Sequence, residues 1–312
     1  MSRRENADTR IRSTSHSYFS QRLKLHYLDW GIPHAEHDTA NAEPSPAPNL
    51  LLIHGMRDHS HNWDWVARAL CEKFHVVAPD LRGHGDSSWA LGGLYSHMDY
   101  VYDLAQLIHQ EALQPVHIIA HSMGGTLACL LAGIYPEKIA SLIVVEGVAG
   151  SHRFYGDQDQ PQKMLRRWID STRDLAGRVP KKYPNLDEAF ARMQKSNPHL
   201  SQQQLHHLTV HGSNRNEDGT YSWKFDNYTH ARPPFPIPFE QTKKLWQSIT
   251  CPCLFINGKQ GFRYRIGQND SLQYFANSQV ADIDQAGHWV HHDQLETFLQ
   301  TVENFYQGLN VD

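Results

Sequence analysis

One serine stands where a buried strand turns directly into a helix. The apolar run at residues 116–120 leads to Ser122, and a helical pattern follows from Met123 onwards. Such a sharp turn lifts a serine hydroxyl above the edge of a sheet, provided that the residues around it are small. Ala120 and Gly124, two positions away on either side, meet that need. Ser122 is therefore the candidate nucleophile, and acyl transfer is the chemistry that it could perform.

A serine hydroxyl is a weak nucleophile at neutral pH and needs a base, an acid that holds the base, and donors for the oxyanion. His288 follows the last predicted strand, where a loop can bring its imidazole to Ser122, and it is the candidate base. The candidate oxyanion donors are the main-chain N–H groups of Met123, directly after the serine, and Met56, directly after His54-Gly55.

Three carboxylates are candidates for the acid that holds the base. Glu146 directly follows the apolar run at residues 142–145, so it should lie at the carboxyl edge of the sheet, where sites of such sheets form. Asp270 is the rival, because the loop after residue 257 could fold back towards the serine. Asp284 is a weaker candidate.

The neighbours of the catalytic candidates are the expected substrate contacts. His121 precedes Ser122 and Trp289 follows His288, so both are candidate substrate-binding residues. Four aromatic residues in the segment at 151–239 are expected to pack against other residues of that segment rather than on substrate. They are Phe154, Tyr155, Trp168 and Trp223.

Alternating strands and helices must position these residues. After an opening hairpin at residues 18–30, strand patterns alternate with helical patterns as far as residue 145. This alternation predicts an α/β protein with a mostly parallel sheet and helices on both faces. The strands are expected at 49–53, 74–78, 116–120 and 140–145, and the helices at 62–70, 97–113 and 123–135.

The alternation stops at about residue 151. Amphipathic helical patterns at 160–177, 185–196 and 201–211 precede a proline cluster, which predicts a mainly helical cap at 151–239 inserted after the sixth strand. Strand character returns at 254–257 and 280–283, and a helix is expected at 294–306. Residues 1–150 and 240–312 therefore form the core domain.

Composition argues against several classes of partner. A net charge of -4 and 40% hydrophobic residues over 312 residues provide no strong field for nucleic acid or an anionic membrane. No run resembles a signal peptide or a membrane span, so a cytoplasmic protein acting on a small molecule, as a monomer or homodimer, is expected. The four cysteines are expected to be reduced.

Histidine-rich stretches give a weaker indication of metal binding. His59-Ser60-His61 begins like a metallohydrolase motif, but Asn62 follows and the ligand set is incomplete. His206, His207 and His211 include a pair at helical spacing, for which a polar helix face is favoured over a metal site. No metal or other cofactor is predicted.

Four motifs together resemble the α/β-hydrolase superfamily, in its capped serine esterase branch, over residues 20–308 outside the cap. The resemblance implies an eight-stranded, mostly parallel sheet, a serine–acid–histidine triad and no cofactor. The motifs are His54-Gly55, Asp80-Leu81-Arg82-Gly83-His84-Gly85-Asp86-Ser87, His121-Ser122-Met123-Gly124-Gly125 and Gly287-His288-Trp289.

The sequence departs from this family at the acid. Most relatives have an Asp in a segment resembling G-x-x-D after the strand at 254–257, but here Gly258-Lys259-Gln260-Gly261 ends on glycine. Members that resemble haloalkane dehalogenases take the acid from the end of the preceding strand, which corresponds to Glu146. The resemblance therefore favours Glu146 over Asp270.

The nucleophile selects the reaction within the superfamily. Haloalkane dehalogenases and epoxide hydrolases need a carboxylate nucleophile, which Ser122 cannot replace. The prediction is a serine hydrolase that cleaves carboxylic esters of small to medium acyl chain through an acyl-enzyme. A lactonase, a thioesterase or a carbon–carbon bond hydrolase would use the same residues. A ligand-binding protein without turnover is a further alternative, supported only by glycine at position 261.

Overall fold

An eight-stranded sheet forms the centre of the protein. In this computed structural model, which describes residues 13–32, 47–93, 95–147, 160–231, 234–261, 265–268 and 270–311, the strand order is β1-β2-β4-β3-β5-β6-β9-β10. β1 and β2 are antiparallel, β2 is antiparallel to β4, and the remaining neighbours are parallel. The strands are β1 Thr14–Ser20, β2 Leu23–Asp29, β3 Asn49–Ile53, β4 His75–Pro79, β5 Val116–His121, β6 Ile139–Val145, β9 Cys253–Gly258 and β10 Ser278–Ile283.

Helices cover both faces of this sheet, so its central strands are buried on both sides. β5 is buried along its whole length, which explains why Val116, Ile118, Ile119 and Ala120 do not alternate with exposed polar residues. The core helices are α1 Asp64–Leu70, α2 His97–Gln110, α3 Met123–Ile134, α7 Phe239–Gln247, α8 Val290–Asp293 and α9 Leu295–Gly308. One hydrophobic core joins α2, α3 and α7 to the sheet, and the other joins α1 and α9 to the opposite face.

The segment between β6 and α7 does not extend the large sheet. It contains α4 Pro161–Leu175, α5 Leu186–Ser196, α6 Gln202–Gly212 and an antiparallel hairpin of β7 Ser213–Arg215 and β8 Tyr221–Trp223. The sequence pattern did not predict this hairpin, because strands of three residues are too short for visible alternation. Residues 33–46 and the aromatic residues Phe154 and Tyr155 lie outside the described residues.

The register of three parallel strands aligns their carboxyl ends. His121 at the end of β5 pairs with Val145 at the end of β6, and Val145 pairs with Ile256 of β9. The residues that follow these strands therefore meet at one edge of the sheet. This confirms the predicted mostly parallel eight-stranded arrangement and brings Ser122 and Glu146 to neighbouring positions.

The helices of the described residues are short relative to a lipid bilayer. None of them is both long enough and apolar enough to cross a membrane.

Candidate active site

Ser122 occupies a strained turn between β5 and α3. Its backbone has φ 54° and ψ -117°, in a region that residues other than glycine rarely adopt. The turn is held because the Ser122 N–H donates to the carbonyl oxygen of Val145, at 2.9 Å. Gly124 is required here, since a Cβ at this position would lie 2.5 Å from the carbonyl oxygen of His54.

His288 reaches the serine from the loop after β10. Its Nε2 lies 3.0 Å from Ser122 Oγ, which is hydrogen-bonding distance. The loop crosses closely over the end of β9, where a Cβ on Gly258 would lie 2.3 Å from the carbonyl oxygen of Gly287. The Gly287 N–H donates to Asp293 Oδ2 at 2.7 Å, which ties the loop to α8.

Glu146 lies on the other side of the same imidazole. Its Oε2 is 3.5 Å from His288 Nδ1, and its side chain is fully buried. The Glu146 N–H donates to the carbonyl oxygen of Ile256 at 2.9 Å, and its Oε1 accepts a hydrogen bond from the Gly258 N–H at 2.8 Å. The main chain thus fixes both the backbone and the carboxylate of Glu146.

Gly261, the position where most relatives are expected to have an Asp, lies directly against this carboxylate. A Cβ at position 261 would lie 2.4 Å from both Glu146 oxygens. Asp270, the rival acid, begins a 3-10 turn at Asp270–Tyr274 and is exposed. The buried carboxylate beside His288 is therefore that of Glu146.

The neighbours of the two ring nitrogens of His288 indicate which nitrogen carries the proton. Nδ1 faces the Glu146 carboxylate, which can only accept, so we assign the ring proton to Nδ1. Nε2 then accepts the hydrogen bond that the Ser122 hydroxyl donates.

His121 is buried next to His288 rather than exposed at the surface of the site. Its side chain is 1% exposed, and its Nε2–H donates to the carbonyl oxygen of His288 at 2.8 Å. Burial, and then the nearby His288, lower the pKa of His121, so its ring is a neutral hydrogen-bond donor. The substrate contact expected of His121 stays a prediction, and its burial and its hydrogen bond to the His288 loop favour a positioning role instead.

The loop at residues 54–56 passes directly beside Ser122. A Cβ on Gly55 would lie 3.2 Å from Ser122 Cβ. His54 fixes this loop, because its Nδ1–H donates to the Gly55 carbonyl oxygen at 2.6 Å and its Nε2 accepts from the Leu81 N–H at 3.0 Å. Met56 follows at once, whereas Met123 begins α3, where the first N–H groups have no acceptor within the helix.

A narrow cleft opens between residues 57–59, which follow this loop, and the inserted segment. Trp289 forms one wall and packs against the apolar cluster of Leu200, Leu205 and Leu208 from the inserted segment. Arg57 and Lys224 also border the cleft, and Arg57 lies 5.0 Å from the ring centre of Phe225. The apolar lining residues are Met193, Leu208, Trp223, Phe225 and Trp289.

Asp58 is a buried acid at the base of the cleft. It is 6% exposed, and its Oδ1 accepts a hydrogen bond from the His59 N–H at 2.9 Å. Burial raises the pKa of Asp58 to about 8, although the His59 hydrogen bond acts in the opposite direction. This carboxyl group is therefore largely neutral at pH 7.

The loop at residues 80–87 supports the site without joining it. Asp80 Oδ1 accepts a hydrogen bond from the Ser60 N–H at 2.6 Å, and its Oδ2 accepts one from the Asp86 N–H at 2.8 Å. Arg82 forms an ion pair with Asp103 of α2, with 2.6 Å between Nε and Oδ2. These contacts anchor the loop to which His54 is bound.

The fold agrees with the comparison with known families. The family model described as the alpha/beta hydrolase fold matches residues 48–295. The chain belongs to the α/β-hydrolase family and is a hydrolase of that fold.

Known proteins of this family resemble the chain over most of its length. Esterase Rv0045c of Mycobacterium tuberculosis is 24% identical over 269 residues, covering 82% of this chain and 82% of that protein. The sn-1-specific diacylglycerol lipase ABHD11 of Mus musculus is 26% identical over 273 residues, covering 83% and 80%. The thioesterase domain from the curacin biosynthetic pathway superposes with a TM-score of 0.76 at 21% identity, covering 94% and 99%, and shares the fold.

Two contributors to the site were not found from the sequence. The Gly258 N–H holds Glu146, but a main-chain donor has no signal in the sequence beyond its place after a strand. The buried role of His121 depends on a contact with His288, 167 positions away, which no local pattern reveals.

Proposed function

We propose that the protein is a serine carboxylesterase that cleaves esters of small to medium acyl chain through an acyl-enzyme. One observation carries this proposal: Ser122 Oγ lies 3.0 Å from His288 Nε2, and His288 Nδ1 lies 3.5 Å from the buried Glu146 carboxylate. The names of the sequence relatives, an esterase and a diacylglycerol lipase, support hydrolysis of an ester bond.

Acylation begins at Ser122. The hydroxyl gives its proton to His288 Nε2 as Oγ attacks the ester carbonyl carbon. The main-chain N–H groups of Met56 and Met123 stabilise the negative charge that forms on the carbonyl oxygen. Glu146 orients the ring and stabilises the imidazolium, which then protonates the leaving alcohol.

Deacylation repeats the same steps with water. His288 removes a proton from a water molecule, which attacks the acyl group on Ser122. The tetrahedral intermediate collapses, the carboxylic acid leaves, and Ser122 regains its proton from His288. No residue outside the proposed set is needed for this half of the reaction.

The cleft between residues 57–59 and the inserted segment follows Met56 directly in the chain, and Trp289, Met193 and Leu208 contribute apolar surface to it. Apolar surface of this kind binds hydrocarbon groups of a substrate.

Ser122→Ala tests this function on p-nitrophenyl acetate and butyrate. We expect loss of hydrolysis by three or more orders of magnitude, roughly as for removal of other serine nucleophiles. Ser248→Ala, at an exposed serine after α7, is the matched control and should keep wild-type activity. A fluorophosphonate should label the wild type on Ser122. Retained hydrolysis in Ser122→Ala would refute the proposal, and a wild type without labelling or turnover would favour ligand binding alone.

The same residues could act on other acyl compounds. A panel of lactones, acyl thioesters and 1,3-diketones, scored by kcat/KM beside p-nitrophenyl esters, distinguishes a lactonase, a thioesterase or a carbon–carbon bond hydrolase from an esterase. We expect the simple esters of small to medium acyl chain to give the highest kcat/KM values.

A further inference from the structure

Three histidines from two separate parts of the chain meet at the junction of the core and the inserted segment. His207 and His211 lie one turn apart on α6, and His61 lies in the 3-10 turn Ser60–Trp63 that follows the loop beside Ser122. One ring nitrogen from each lies within 4.8 Å of the other two. The sequence alone showed only the pair on α6.

The three rings are already close to one another. The ring centres of His61 and His211 are 3.7 Å apart, and those of His207 and His211 are 4.5 Å apart. In a tetrahedral site with Zn–N distances of about 2.0–2.1 Å, the nitrogens lie roughly 3.3 Å from each other. The His61 and His211 rings are stacked at 28° to each other, and the ring centres of His61 and His207 are 6.0 Å apart. Binding one ion therefore requires these side chains to rotate, and all three histidines are only partly buried.

The buried carboxylate of Asp64 lies next to two of the three histidines. Asp64 is 5% exposed, and its oxygens lie 3.2 Å from His61 Nδ1 and 3.2 Å from His207 Nε2. Histidine ligands commonly donate their second N–H to such a carboxylate, which fixes the ring and increases its basicity as a ligand. Arg68 contacts the same carboxylate at 3.4 Å and balances part of its charge.

We propose that His61, His207 and His211 bind a divalent transition-metal ion of intermediate softness, such as Zn²⁺. Three imidazole nitrogens are a ligand set that Zn²⁺, Ni²⁺, Co²⁺ and Cu²⁺ accept, whereas Mg²⁺ and Ca²⁺ require oxygen ligands. The partly exposed position leaves a coordination position for water. A bound ion joins α6 to the turn behind the loop at residues 54–56.

Zinc binding by the metal-free full chain, without a histidine tag, tests this site. Calorimetric titration with ZnCl2 should show one ion per chain. His61→Gln and His211→Gln, which change ligands on different elements, should each weaken binding by about tenfold or more. His206→Gln is the matched control, since His206 is the exposed neighbour of His207 outside the cluster.

Two further measurements make the outcome decisive. Co²⁺ should give the visible bands of a nitrogen site without thiolate charge transfer, which excludes the cysteines as ligands. At equal Zn²⁺ concentration the thermal unfolding midpoint should rise more for the wild type and His206→Gln than for the other two variants, whose folding is checked in EDTA. Absence of stoichiometric binding by the wild type, or wild-type affinity in His61→Gln and His211→Gln, would overturn the proposal.

Discussion

The carboxylate of Glu146 fills the space that a side chain at Gly261 would occupy. A Cβ at position 261 would lie 2.4 Å from both oxygens, well inside van der Waals contact. The two positions are therefore alternatives, because a carboxylate beside His288 can come from the end of β6 or from the loop after β9, but both side chains cannot fit. This relationship gives a physical reason for the glycine where related sequences are expected to have an Asp.

Gly261→Ala should move the Glu146 carboxylate without changing its chemical identity. The added methyl group must move the Glu146 carboxylate away from His288, so we expect kcat on p-nitrophenyl butyrate to fall by about two orders of magnitude, part of the loss known for a removed triad acid. Gly308→Ala is the control, since a Cβ there meets nothing within 4 Å. Wild-type turnover by a folded Gly261→Ala protein would show that the carboxylate position does not matter.

His121 should act by positioning the base. Removing its hydrogen bond to the His288 carbonyl oxygen in His121→Leu is expected to lower kcat by about tenfold, the usual worth of one buried hydrogen bond, with little change in KM. His121→Gln keeps an N–H donor and should restore most of the activity. If KM rises while kcat stays constant, His121 contacts substrate after all.

Asp58→Asn should change how stability depends on pH. The pKa of Asp58 is about 8 in the fold and near 3.9 in an unfolded chain, so between these pH values the folded state binds one proton more. The wild type therefore loses stability as pH rises from 4 to 8, by up to about 1.4 kcal/mol per pH unit relative to Asp58→Asn.

Urea unfolding at several pH values measures this difference. Asp187→Asn, at an exposed position in the first turn of α5, serves as the control and should run parallel to the wild type. A constant gap in unfolding free energy between the wild type and Asp58→Asn from pH 5 to 8 would contradict the raised pKa.

Much of the fold could be predicted because its signals are local. The run before Ser122 is mostly apolar, as is typical of a strand buried on both faces, and the change to helical spacing at Met123 marks the turn. The same reasoning located Glu146 at the carboxyl edge of β6. The β7–β8 hairpin was not predicted, because its strands are too short to show the two-residue alternation typical of strands.

Contacts between distant segments could not be predicted from local pattern. His61 and His211 are 150 positions apart, yet their ring centres lie 3.7 Å from each other. The packing of α6 on the core produces this contact, and a single sequence carries no record of it. The buried place of His121 behind His288 has the same origin.

The most direct test compares Glu146→Gln with Asp270→Asn in the hydrolysis of p-nitrophenyl butyrate. Glutamine keeps the size of Glu146 but cannot stabilise the His288 imidazolium, whereas Asp270 is exposed. We predict that kcat/KM of Glu146→Gln falls by about two to four orders of magnitude while Asp270→Asn stays within about twofold of the wild type. A large loss in Asp270→Asn with full activity in Glu146→Gln would contradict the account.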